Sequence, residues 1–516
     1  MLKGIFQFKY FYKILIFFPV IFYFGKRSYI AFDEGFYALQ ARWILEKDNW
    51  IIPLWWDNYA LDRTIGLQFL IAKSQEIFGR NMFSAYLPTT FAAIIMLIIT
   101  YKLHEEFLDK NYAIISPIIL ATSYLWFDYS HLASQDIIYS SLTTLGIFSF
   151  VKINSRENKF FIFLFGIWIG LAFMLKTFLV AVPLLSIFPF LFIKRKLFFS
   201  NFFLIGLILG FLPFLIWMYS INPFLDKNIV YYLFEKFNSL SKENTFTKPF
   251  YYYFWNIPIT FLPWSIFSII GIFQNALDKK NRNFLTIFPL FFVLIISFFS
   301  TKTPYYPLQI SSILALNSFT GIKFLFNSRR FKSTFIFFTS KIIPLFLICL
   351  TLTYCFFYLN ITNFTIKENS FLFVGLILFA ISWSFIKEKQ TFKRVSILLV
   401  VGPYLFTTLI LQSGLFTDRS RELRETLEHV STLDIVQNQI INVDTSGIKD
   451  SQSGSKIIRI SLLTPNLGEG LEGISKLNPR ELAWSTGANK QNNLKNSYEI
   501  IYEDETINPW KLILKK

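Results

Sequence analysis

The sequence predicts an all-α polytopic membrane protein with a small C-terminal α/β exterior domain, and three observations carry that reading. Of 516 residues, 53% are hydrophobic and 65 are Phe, with a mean hydropathy of +0.46, far too apolar for a soluble chain of this length. Apolar windows of roughly 15–22 residues, the length a bilayer core requires, recur between short polar breaks. Past residue 412 the apolar runs vanish and Asp, Glu, Asn, Ser and Gly rise. The chain therefore divides into a transmembrane part, 1–412, holding a first exterior loop at 31–82, and an exterior domain, 413–516.

Composition also excludes. A net charge of +17 would suit nucleic acid, but the basic residues form short clusters between apolar runs, the pattern of cytosolic loops, so no nucleic-acid partner is expected. Cys349 and Cys355 lie within one apolar run, which argues against an exterior disulfide. His104, His131 and His429 are far apart in sequence, so neither a metal nor another cofactor is expected; Asp128, His131 and Asp136 come nearest to a ligand set.

The first apolar run, 11–24, follows lysines but no small-residue cleavage site follows it, and it reads as an uncleaved first span. Further windows lie at 83–101, 112–127, 137–151, 160–175, 178–193 and 203–219, then at 257–273, 284–299, 308–326, 342–359, 371–386 and 396–411. That makes about thirteen spans by the window rule. Alternate breaks are basic: Lys102 and Lys110; Lys152, Arg156 and Lys159; Lys194, Arg195 and Lys196; Lys279, Lys280 and Arg282; Arg329, Arg330 and Lys332; Lys387, Lys389, Lys393 and Arg394. These mark the cytosolic side. The other breaks, 25–82, 128–136, a tight turn around Lys176, 221–256, 301–307, 360–370 and everything after 412, face outward, with Lys26-Arg27 as the exception to the rule.

Two amphipathic helices are expected in the first loop. One spans 35–47 with Phe36, Leu39, Trp43 and Ile44 on one side, and one follows Asp62-Arg63 with Ile65, Phe69 and Ala72 at helical spacing. Such helices lie in the membrane interface. In the exterior domain, 419–433 reads as a helix and 435–443, 456–463 and 498–502 as strands. No internal repeat supports an inverted-repeat transporter.

The outward breaks collect ionisable residues: Asp33, Glu34, Asp62, Arg63, Asp136, Lys176 and Lys302, the last ahead of Tyr305-Tyr306. Each has a structural reading. Asp33-Glu34 and Asp136 can cap helices, Arg63 can pair with Asp62, Lys302 can end a span, and Lys176 can reach lipid phosphate as an anchor. Ionisable groups at membrane depth are nevertheless functional candidates by default, and these share one face. Cations there suit a polyprenyl-phosphate leaving group, and a carboxylate suits removal of a proton from an acceptor hydroxyl. Arg63 can grip two phosphate oxygens, whereas lysines act as point charges.

In order along the chain stand DEGFYALQARWILEKDNWIIP (33–53), ALDRTIGLQF (60–69), SQDIIYS (134–140), GLAFMLKTFLVAVPLL (170–185), LPWS (262–265) and STKTPYYPLQI (300–310). Over roughly the first 330 residues this set resembles the bacterial aminoarabinose transferase and protein O-mannosyltransferase superfamily, membrane glycosyltransferases of the GT-C fold. The resemblance implies a polyprenyl-phosphate sugar donor, catalysis on the periplasmic face of the bacterial inner membrane, and no nucleotide-sugar site. It makes Asp33 the candidate general base, with Glu34 beside it, and Asp136 the second acidic residue. It sets Lys176, Lys302 and Tyr306 against the donor phosphate, with Lys236 as a looser match. Arg63-Thr64 stands where the family has Lys-Pro, which keeps the charge and loses the proline. The acceptor is a membrane lipid, a glycan or a protein hydroxyl; nothing in these residues selects among them or names the sugar. The competing readings are a lipid-linked glycan transporter without transfer chemistry and a non-catalytic scaffold.

Overall fold

The computed structural model describes residues 15–22, 26–156, 158–193, 195–242, 247–358, 366–487 and 497–516. Of the expected first span, 11–24, residues 15–22 are described and hold the short helix Phe18–Ile21; the rest lies outside the described residues. Among the described residues, seven helices are long and apolar enough to cross a membrane, or eight if the bent pair Tyr252–Thr260 and Ser265–Leu277 counts as one span. Two shorter apolar helices, Arg282–Phe298 and Ser370–Ser384, stand beside them. The protein is a multi-pass, mainly helical membrane protein.

The difference from thirteen has local causes. The window 112–127 divides into Ile115–Ala121 and Tyr124–Ser130. At that break the Thr122 and Ser123 hydroxyls donate back to the carbonyls of Ile118 and Leu120, the local competition that ends helices. The window 257–273 bends by 116° between its two helices, around Leu262-Pro263. The windows 160–175 and 178–193 are not an antiparallel pair joined by a tight turn. The chain runs from Lys159–Lys176 through a 3-10 turn, Thr177–Val180, directly into Ala181–Ile193. The first helix packs on Gln135–Arg156 and Asn201–Ile221, the second on Phe288–Phe298.

A close helix packing lies between Lys159–Lys176 and Asn201–Ile221. Gly166 and Gly170 on one face Gly206 and Gly210 on the other, four residues apart in each case. A Cβ on Gly170 would stand 2.1 Å from the Gly210 carbonyl carbon, and one on Gly206 2.2 Å from the Phe163 oxygen. With no hydrophobic drive between helices in lipid, small residues permit this backbone approach and its dispersion contacts.

The breaks gather at two ends. At one, Lys152 pairs with Glu106, Phe284 meets Phe107, Phe150 and Phe190, and Phe392 meets Tyr112, Phe319 and Phe326. At the other, Thr64 Oγ1 donates to the Met174 carbonyl at 2.5 Å, Trp217 Nε1 to the Ile51 carbonyl at 2.8 Å, and Thr247 bridges Thr301. Lys26-Arg27 belongs to this second end. The Arg27 guanidinium lies 4.7 Å over the Tyr86 ring and the Lys26 carbonyl accepts from Thr417 Oγ1, so the pair is occupied by protein contacts.

Neither first-loop helix follows the interfacial expectation closely. Phe36–Glu46 is buried from Tyr37 to Ile44, polar Gln40 and Arg42 included, because the C-terminal residues cover its polar side. Gly66–Phe78 buries Leu67, Ile71, Ala72 and Gln75 and leaves Phe69, Ile77 and Phe78 exposed.

Beyond residue 413 a five-stranded sheet forms in the order 467–471, 441–444, 482–485, 511–515, 498–502, parallel across the first three strands and antiparallel thereafter. The segment 456–463, expected as a strand, lies in the helix Ser451–Leu463. Asp450 and Ser453 form a capping box, and Gly454, Ile457, Ile458 and Ser461 are buried at helical spacing, which outweighs the β-branched isoleucines. The strand expected at 435–443 is confined to Ile441–Asp444, after the short helix Asp434–Asn438.

Gly170→Leu forces these two glycine-packed helices apart. It is expected to destabilise the protein by about 3 kcal/mol, the upper end for overpacking, read as a lower thermal midpoint in detergent.

Candidate active site

Two helices meet end to end to make the centre of the site. Lys159–Lys176 closes on Lys176, and Gln135–Arg156 carries Asp136 in its first turn. The helices are antiparallel neighbours, so the cation at a helix C-terminus comes to the carboxylate at a helix N-terminus, the placement each helix dipole favours. Lys176 Nζ donates to Asp136 Oδ1 at 2.8 Å, both side chains being nearly buried. Thr177, immediately after the lysine, has φ +46°. A β-branched residue in the left-handed region is strained, and here it redirects the chain at the site.

This pair heads a cleft of about 390 Å³ whose polar end holds Tyr139, Tyr305 and Tyr306 and whose apolar walls include Leu179, Val182 and Ile296. Lys176 Nζ lies 5.3 Å from the Tyr305 ring centre, and Tyr305 stacks edge-on against Tyr129 at 5.4 Å. Burial raises the Tyr129 and Tyr305 hydroxyls above their ordinary range. The charges of Asp33 and Asp136 reinforce this, with Lys176 opposing it at Tyr305, so both remain proton donors.

Asp33 and Glu34 occupy one turn of π-helix, Ala31–Gly35, and point to different places. Glu34 is 0% exposed. It accepts from the Ile30 N–H at 2.8 Å, the Ala133 N–H at 3.0 Å and the Tyr86 hydroxyl at 3.0 Å, tying three segments together. Burial raises its carboxyl to about 7, and the three donors pull the other way. Asp33 is exposed. Desolvation and then the Asp136 charge raise its carboxyl above the usual aspartate range, against Lys176, Arg63 and Arg419. The adjacent carboxylates thus differ: one is a structural tie and the other is available to substrate.

Arg63 flanks this centre, bound by Asp62 through two N–H groups at 2.6 and 3.1 Å and stacked over Phe36 at 4.4 Å and Tyr37 at 5.2 Å. The structure thus brings Asp33, Asp136, Lys176 and Tyr306 together, with Arg63 beside them. Lys302 stands apart: it is 4% exposed and donates to the Lys248 carbonyl at 2.9 Å and to the Phe299 carbonyl, and burial lowers its pKa. Lys236 rides the helix Ile229–Lys242, whose Phe234 packs on Phe178. Sequence reasoning missed Tyr139, one helical turn past Asp136 and readable from that spacing. It also missed Arg419, which pairs with Asp128 across 291 residues and had no local signal.

The comparisons agree with this architecture. The family model for dolichyl-phosphate-mannose-protein mannosyltransferase matches residues 62–219, which include Arg63, Asp136 and Lys176. Along nearly its whole length the chain superposes on ArnT from Cupriavidus metallidurans bound to undecaprenyl phosphate, with a TM-score of 0.74, 12% identity, and coverage of 98% of this chain and 96% of that one. The chain thus shares its fold with that protein and, over residues 62–219, matches the mannosyltransferase family model. The undecaprenyl phosphate-α-4-amino-4-deoxy-L-arabinose arabinosyl transferase of Wigglesworthia glossinidia brevipalpis is 30% identical over 285 residues, 52% of this chain and 50% of that protein. The protein of the same description from Enterobacter sp. (strain 638) is 26% identical over 304 residues, 55% and 54% respectively. The chain spans about half the length of the curated relatives it matches.

Lys176→Met leaves Asp136 nearly buried without its counter-charge. It is expected to cost about 3 kcal/mol, as breaking a buried pair does. The double variant with Asp136→Asn is expected to recover part of that loss in chemical unfolding; a double-variant loss equal to the sum of the two single losses would show the pair to be uncoupled.

Proposed function

We propose that this protein is an integral-membrane glycosyltransferase that moves a sugar from a polyprenyl-phosphate donor to the hydroxyl of a lipid, glycan or protein acceptor. The reading places it in the bacterial inner membrane with its site on the periplasmic face, within a transmembrane catalytic part, 1–412, capped by an exterior domain, 413–516. One observation carries it. A cation, its partner carboxylate and tyrosines line a cleft with apolar walls, an amphiphilic surround suited to an isoprenoid phosphate, and a second carboxylate, Asp33, lies within electrostatic reach of that pair. The match of chain and fold to undecaprenyl-phosphate-dependent relatives supports it.

In this mechanism Asp33 takes the proton from the acceptor hydroxyl as that oxygen bonds to the anomeric carbon. The bond from that carbon to the phosphate oxygen breaks, its electron pair leaves with the polyprenyl phosphate, and the anomeric centre inverts. Charge grows on the phosphate as the bond breaks, where Lys176 and the Tyr305 and Tyr306 hydroxyls stand ready. Asp136 fixes the ammonium position, and Arg63 provides a second, two-pronged cation. Glu34 acts on Asp33 by holding its turn. Lys302 and Lys236 contribute by anchoring the surrounding segments. The transporter alternative needs a polar path across the bilayer, whereas these charges gather at one end.

Asp33→Asn keeps the shape and removes the base. Transfer from a mass-tagged panel of polyprenyl-phosphate sugars is expected to fall by about 10²–10⁴, the usual contribution of general-base catalysis, with the protein still folded; retained transfer overturns the base assignment. The pH profile is a separate check. A base works only when ionised, so activity falls as pH drops through its pKa. Because the Asp33 carboxyl is raised, the acid limb of kcat/KM is expected above the ordinary aspartate value of about 3.9.

A further inference from the structure

A separate cavity lies behind the helix that follows Asp33, away from the proposed transfer site. It offers about 210 Å³ of space between the first loop and the C-terminal residues, and its wall includes Tyr29, Arg42, Gln75, Arg80, Met82 and Thr464. Arg42 is 1% exposed and donates to the carbonyls of Ser461, Thr464 and Pro465 at 2.6, 2.7 and 3.0 Å. Arg80 reaches the Pro465 carbonyl at 2.9 Å, and both guanidiniums bind the single carboxylate of Glu46. One positive charge therefore remains uncompensated in this cluster. A guanidinium has five N–H donors; the two bonds Arg80 makes leave three without a protein partner among the described residues.

Two further features point the same way. Gln75 is 5% exposed and its Oε1 accepts no hydrogen bond among the described residues, an orphan acceptor of the kind that a bound group normally satisfies. The 26-residue helix Met82–Phe107 begins on the cavity wall, its Ser84 N–H capped by Asn81 Oδ1, so its positive end lies beside the space. Near in sequence to Gln75, Arg80 and Met82, the side chains of Ile77, Phe78 and Phe83 are exposed, apolar surface suited to acyl chains.

We propose that this cavity binds a phosphate headgroup that also carries a hydroxyl or ammonium donor. The phosphate meets Arg80 and the helix end, and the donor meets Gln75 Oε1. The headgroup sits against the helix Phe36–Glu46 on the side opposite the cleft, and the apolar surface favours a membrane lipid as its source. The assignment does not depend on the transfer reaction.

The test uses the full chain in neutral-detergent micelles, titrated with short-chain phosphatidylglycerol and separately with glycerol phosphate, read by native mass spectrometry and thermal midpoint. Phosphatidylglycerol is expected to bind and to raise the midpoint. Arg80→Gln should weaken it about tenfold, the effect of one charge-assisted hydrogen bond. Gln75→Leu should weaken it too while raising the midpoint of the lipid-free protein, because a buried unsatisfied acceptor is gone. That opposite pair of effects separates a ligand contact from a folding defect. Binding of phosphatidylglycerol alone assigns the site to a lipid, and equal binding of glycerol phosphate assigns it to the headgroup alone; either supports the site. Unchanged affinity in both variants, or binding of neither probe to the parent chain, overturns it.

Discussion

The buried carboxylate of Glu34 is the tie on which the exterior end depends. Three donors from three places converge on it: the strand leading into the π-turn, the loop ahead of Asp136, and the helix Met82–Phe107. A buried carboxylate that is left short of partners costs several kcal/mol, so satisfying this one fixes all three segments together. Asp33 is its neighbour and inherits a defined position without sharing its burial. The loop that Glu34 grips runs directly into Ser134, Gln135 and Asp136. One side chain thus sets the spacing of the two aspartates around which the site is built.

A second tie acts from above. Arg42 draws the C-terminal end of the helix Ser451–Leu463 onto the helix that follows the π-turn, a cation meeting the carbonyl end of a helix dipole. Gly35 lies in the seam, where an added Cβ would stand 2.9 Å from Ile458 Cγ2. The C-terminal residues therefore press on the turn that carries Asp33. Among their described residues none lines the cleft, although Arg419 acts on Asp33 through its charge, and the turn that carries Asp33 is held from their side.

What the sequence disclosed follows from how local each cause is. Hydropathy marked Met82–Phe107, Asn201–Ile221 and Phe392–Ser413 because each is one uninterrupted helix. Asp136 and Lys176 stood out because a charge at the end of an apolar run is conspicuous in one dimension. Arg63 was read as a phosphate ligand or as a partner of Asp62, and the pairing is present. Other features had no one-dimensional trace. The partners of Arg42 lie more than 400 residues away, so the helix carrying it looked interfacial when it is covered. The break at Thr122-Ser123 arises from two hydroxyls that window averaging cannot see. Lys302 reads as a phosphate ligand in one dimension because one of the two carbonyls that hold it, that of Lys248, comes from a different segment.

The glycine-lined crossing beneath Lys176 divides the cleft into two mechanical halves. On one side the lysine stands at the tip of a helix welded, backbone to backbone, onto its neighbour. On the other, beyond the strained Thr177, the wall is built from ordinary apolar side chains of separate helices, Leu179, Val182 and Ile296, with no such weld. On the proposed reading of the cleft, a bulkier or longer isoprenoid tail can then be admitted by displacing that second wall, while the headgroup keeps its register against the first. Tolerance for the tail and strictness toward the head are set by different pieces of backbone, and either can be altered without disturbing the other.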